Sequence, residues 1–66
     1  MGEIPLAAAD RVIRKATGLR VGVDAAAKLA DVLEKEGERI SRKAGKFAKH
    51  AGRKTVKAGD IELAVE

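Results

Sequence analysis

Lys54, Thr55 and Lys57 crowd into one short turn within the stretch His50-Ala51-Gly52-Arg53-Lys54-Thr55-Val56-Lys57-Ala58-Gly59-Asp60-Ile61. Two ammonium groups and a hydroxyl on one exposed turn are side chains suited to phosphate oxygens. The turn joins a basic helix end to a second short helix, and a helix end there can offer backbone N–H groups to the same oxygens. The segment therefore points to a polyanion, duplex DNA above all.

Other chemistry is poorly represented. The chain has no Cys and a single His, so disulfides and thiolate metal sites are excluded, and no carboxylates cluster around His50. It has neither a glycine-rich phosphate loop nor a convergent pair of carboxylates. The expectation is a binding protein with no enzymatic activity, no cofactor and no metal.

The charge is unevenly placed. The formal net charge is +4, with a pI near 9.8. Residues 24–38 hold the acids Asp24, Asp31, Glu34, Glu36 and Glu38 against Lys28 and Lys35. Residues 39–59 hold Arg39, Arg42, Lys43, Lys46, Lys49, Arg53, Lys54 and Lys57, and no acid. A block of one sign makes a local field that attracts polyanions. For the helical part of the block a solvated face is an equal reading; the turn that follows favours the polyanion.

The elements that position these residues are helical. Phe47 is the sole aromatic, and Ala, Val, Ile and Leu supply the apolar content, a composition that suits helices rather than a β-sandwich. Leu6, Ala9, Val12, Ile13 and Ala16 recur at helical spacing after Pro5, and Gly18 stops them, giving a helix over residues 5–16. A connector, residues 17–22, ends at Gly22 as N-cap. A long helix over 23–51 carries the stripe Ala26, Leu29, Leu33, Gly37, Ile40, Ala44, Ala48 and Ala51, and Gly52 closes it. Asp24–Lys28, Asp31–Lys35 and Glu38–Arg42 are spaced as i,i+4 ion pairs. A third helix, 57–65, presents Ala58, Ile61, Leu63, Ala64 and Val65.

A chain of 66 residues makes at most one small domain, residues 1–66. Chains this short usually need a disulfide, a metal or a partner to be stable, and here a partner is the remaining route. A helix of about 43 Å is too long for two short helices of its own chain to cover. The simplest closed solution is a twofold homodimer with the long helices crossing antiparallel, which sets Arg20 of one chain beside Lys54 of the other. No segment reads as a membrane span or a secretory leader, so a soluble, cytoplasmic protein is expected, and the polyanion reading of the second connector makes it chromosome-associated.

Ile4-Pro5-Leu6-Ala7, Arg11-Val12-Ile13-Arg14, Arg20-Val21 and the block from His50 to Ala64 closely resemble the tailless archaeal histones, without gaps over essentially the whole chain. The resemblance implies an all-α histone fold (short helix, long central helix, short helix) as an intertwined antiparallel homodimer. It implies that Arg11 and Arg20 turn toward the minor groove, that Arg14, Lys54, Thr55 and Lys57 contact phosphates, and that Arg53 and Asp60 form a buried pair. It places Phe47, His50, Asp60 and Leu63 where two dimers join, so that tetramers or longer assemblies bend and compact double-stranded DNA with little sequence specificity. A paralogous histone is a candidate heterodimer partner. The alternative is a histone-fold heterodimerisation module of a transcription or repair complex.

Some positions depart from the family pattern. Thr17 stands where many archaeal histones have Gly, in a connector that lies where successive turns of the protein–DNA superhelix approach, so its side chain is expected to hinder tight stacking. Gly22 replaces a Ser-like cap, Gly45 an apolar residue, and Gly59 an acid. These glycines lower local stability; Gly45 and Gly37, inside the long helix, each cost about 1 kcal/mol relative to Ala.

Overall fold

The computed structural model describes residues 4–66. Residues 1–3, part of the expected domain, lie outside the described residues. The helices are α1 (Leu6–Thr17), α2 (Val23–His50) and α3 (Ala58–Val65), and no strand occurs among the described residues. The architecture is all-α, as the sequence predicts.

Helix ends follow from local chemistry. Pro5 stands one place before α1 and not inside it, in an extended conformation, and its carbonyl accepts the N–H groups of Ala8 and Ala9 at 3.1 and 3.2 Å. Its fixed φ suits either position, but its ψ of 139° leaves the helix to start at Leu6. Thr17 extends α1 by one residue beyond the expected end. Gly18 then takes a left-handed backbone, φ 73°, that a side chain would disfavour.

At the far end of α2, Gly52 has φ 76°. Its N–H bonds the Lys49 carbonyl at 2.9 Å, while the Arg53 N–H bonds the Ala48 carbonyl, also at 2.9 Å. These two bonds make a Schellman motif with Gly52 at the left-handed position. They turn the chain out of α2 directly at the basic connector.

Packing divides the chain into two compact units, Met1–Lys35 and Glu36–Glu66, with α2 contributing to each. In the first unit Ala9, Ala26 and Ala30 form a buried cluster against which Ile4, Val21 and Leu29 pack. In the second, Ala44, Ala48 and Ala64 are buried. Among the described residues the buried apolar positions are thus all alanines. A methyl group contributes roughly 0.8 kcal/mol on burial, against about 1.5–3 for Val, Leu or Ile.

The larger side chains stay at the surface. Val23 is 80% exposed, Leu19 67% and Leu63 52%; Leu6, Val12, Val32, Leu33, Val56, Ile61 and Val65 are exposed too. The stripes expected from the sequence are therefore only partly used within the chain. Ala26, Ala44 and Ala48 are buried, whereas Leu33, Gly37 and Ala51 face outward. Of the three surface ion pairs that the spacing suggests, one forms. Asp31–Lys35 closes at 3.3 Å, but neither Asp24–Lys28 nor Glu38–Arg42 is an ion pair, because flexible exposed pairs gain little over water.

Candidate nucleic-acid interface

The second connector is built around one ion pair. Arg53 donates from Nη1 to Asp60 Oδ2 and from Nη2 to Asp60 Oδ1, each at 2.8 Å. This parallel, two-bond geometry is the strongest a guanidinium and a carboxylate make. Arg53 Nη1 also donates to the Thr55 carbonyl at 3.0 Å. Asp60 Oδ2 accepts the backbone N–H of Lys57 at 2.8 Å, reaching back from the first turn of α3 to its N-cap.

One pair therefore grips the connector at two backbone points, Thr55 and Lys57, on either side of Val56. Asp60 is only 3% exposed. Its carboxyl is pulled from 3.8 down to about 2, first by the Arg53 hydrogen bonds and next by the Lys57 N–H. The Arg53 guanidinium is held further into its charged range by the same carboxylate. Lys54, Thr55 and Lys57 are exposed around this anchor, so two ammonium groups and a hydroxyl project from a backbone that is fixed.

The first connector has its own lock. The Thr17 hydroxyl donates to the Ile13 carbonyl at 2.8 Å and accepts the Leu19 N–H at 3.1 Å. The sequence alone marks Thr17 only as an obstruction. The signal that could have found this role was its place in the last turn of a helix, where Thr hydroxyls bond back to the i−4 carbonyl. Beyond it, Arg14, Gly18, Leu19, Arg20 and Val21 line a shallow concavity of about 410 Å³. The structure thus brings Arg14 and Arg20 to one site, and Arg11, exposed on α1, is not among its walls. Arg14 also bonds Asp10 at 2.7 Å, which occupies part of its donor fork and leaves the rest available.

The residues expected at a dimer–dimer contact all lie in the second unit. His50 and Leu63 are exposed and Phe47 is half-buried, whereas Asp60 is buried and already accepts three hydrogen bonds from its own chain. Among the described residues no group of three or more His, Cys, Asp or Glu could hold a metal, and no helix is long and apolar enough to cross a membrane.

The family model described as "Histone-like transcription factor (CBF/NF-Y) and archaeal histone" matches residues 2–65. The chain is 54% identical to one of the subunits of archaeal histone HAN1 from Thermococcus zilligii, over all of its own length and 98% of that protein's. It is 42% identical to probable archaeal histone 3 of Methanocaldococcus jannaschii, over 98% of this chain and 97% of the other.

Proposed function

This chain belongs to the family of histone-like transcription factors and archaeal histones, and from that membership we propose that it bends and compacts double-stranded DNA as homodimers that assemble further along it. Membership makes it a DNA-binding protein of chromatin with a histone fold, and not an enzyme. The finer reading concerns which surface does the binding and in what assembly.

The observation that carries it is the anchored second connector. Phosphate contacts fix a protein on a duplex and carry no sequence information. Such contacts hold best when the backbone presenting them loses little freedom on binding. The Arg53–Asp60 pair supplies that rigidity beneath Lys54, Thr55 and Lys57. Arg11, Arg14 and Arg20 add cations from α1 and the first connector.

The homodimer is supported by what stays uncovered. A core of alanine methyls with Val23, Val32 and Leu33 at the surface is that of a chain awaiting a partner. Antiparallel crossing of two α2 helices covers those side chains as one single-domain pair of chains. It brings Arg20 of one chain beside Lys54 of the other, so that each DNA site is built from both. Phe47, His50 and Leu63 then serve contacts between dimers. The Thermococcus relative is named as one subunit of HAN1, which makes a paralogous histone-fold chain the second partner to test.

Sedimentation of the purified protein, followed by a gel shift on a mixed-sequence duplex, tests the reading. Dimers that shift unrelated sequences alike support it. A monomer, or a protein that binds only after a second chain is added, supports the heterodimeric alternative.

A further inference from the structure

The cations in the basic half of α2 are given no partner by the reading above, which uses only Phe47 and His50 of that half. Arg39, Arg42, Lys43 and Lys46 recur at steps of three, one and three residues and, with Phe47, line a concavity of about 540 Å³. Lys54, Thr55 and Lys57 are not among its walls.

The two halves of the helix are charged on opposite plans. Its acidic half pairs Asp31 with Lys35 at 3.3 Å. Its basic half places like charges at i,i+4, Arg39 with Lys43 and Arg42 with Lys46, an arrangement that weakens a helix. Arg39 is balanced by Glu36, whereas Arg42, Lys43 and Lys46 form no ion pair among the described residues. A helix that accepts this repulsion is relieved by an anionic partner.

We propose that this face is a second duplex-binding surface, through which a protein already seated on one DNA segment by its connectors captures another and bridges the two. Residues 39–46 span about 10 Å of helix. Duplex DNA carries one negative charge per about 1.7 Å of axis, so an extended polyanion can meet the whole row where a small anion would meet one or two members. An acidic protein would have to match the row charge by charge; a duplex supplies the density wherever it lands.

The proposal rests on connector-mediated DNA binding, and a bridging assay separates the two. Beads carrying one duplex are loaded with protein and offered a second, fluorescent duplex. The triple variant Arg42→Gln, Lys43→Gln, Lys46→Gln is compared with wild type and with a charge-matched control, Lys15→Gln, Lys28→Gln, Lys35→Gln. Loss of three phosphate contacts predicts that the first variant retains at least about tenfold less second duplex, with single-duplex affinity within about threefold of the control. Both variants should keep the wild-type helical content and oligomeric state. Equal retention by the two variants overturns the proposal. So does an equal loss of single-duplex and second-duplex binding, which would put the face on the first duplex, and so does a changed oligomeric state. A wild type that shifts one duplex but holds no second overturns it while leaving the connector reading intact; a wild type that binds no duplex at all sinks both.

Discussion

Arg53 and Asp60 meet through two parallel hydrogen bonds of 2.8 Å, seven residues apart in sequence, across the turn that carries Lys54, Thr55 and Lys57. The pair gives Arg53 a structural duty, and the proposed function gives Lys54, beside it in sequence, a binding one. Arg53→Ala strands a buried carboxylate and frees the Thr55 carbonyl. For a domain of this size that should lower Tm by about 5–10 °C at equal protein concentration, and weaken DNA binding only through the loosened turn. A Tm unchanged from wild type would remove the structural role.

Lys54→Ala should do the reverse. Its side chain is exposed and forms no ion pair among the described residues, so thermal melting should move by no more than about 1 °C. Affinity for duplex should fall by severalfold, because the proposed dimer would lose one cation at each of two sites. A gel shift that leaves affinity as it was, or a marked drop in Tm, would reverse the assignment.

Asp60 makes stability depend on acid in a definite direction. Its carboxyl is held at about 2, below its ordinary 3.8, by Arg53 and then by the Lys57 N–H. A group with a depressed pKa contributes stability above its unfolded value and loses that contribution as pH falls through its folded value. Wild-type Tm should therefore decline between about pH 4 and pH 2. Asp60→Asn should start from a lower Tm near neutrality and lose less over that range. Parallel Tm–pH curves for the two proteins would show that the pair does not govern acid unfolding.

Gly37 offers a direct probe of the homodimer. It lies at the midpoint of α2, and a Cβ there meets nothing of its own chain within 4 Å. If two copies cross antiparallel at their midpoints, identical residues come together only near the axis. The chain has no cysteine, so Gly37→Cys introduces a single thiol. Mild oxidation should link it to its counterpart, whose Cα must lie within about 7 Å, while Lys28→Cys should stay largely unlinked. Linkage at Lys28 in preference to Gly37 would contradict a central crossing.

Phe47→Glu should leave dimers intact and shorten the DNA protected from nuclease, since a charge would be buried wherever two dimers meet through that side chain. Protected lengths that match wild type would remove Phe47 from the assembly surface.

The sequence made some of this legible and concealed the rest for physical reasons. Gly52 announced its own role, because few residues other than glycine adopt the backbone that a Schellman motif requires there. Helical spacing located α2, but the same apolar stripe that fixes a helix cannot say which chain will cover it. Leu33 and Ala48 read alike in sequence, yet only Ala48 is buried by its own chain. The Arg53–Asp60 pair came from family resemblance and not from spacing, since a seven-residue separation across a turn has no periodic signature. Thr17 was read by its bulk, while its hydroxyl ties the first connector to α1. Asp24–Lys28 shows the converse, ideal spacing without a bond.

The central claim is that DNA is held through phosphates by cations on anchored connectors, and the salt dependence of affinity tests it most directly. Binding to a mixed-sequence duplex should weaken steeply with salt, log K falling linearly with log salt at about 0.9 per phosphate contacted. Lys54→Ala should make that slope shallower by about 2 per dimer, one contact from each chain. An affinity indifferent to salt, or a slope that Lys54→Ala leaves unchanged, would contradict the account.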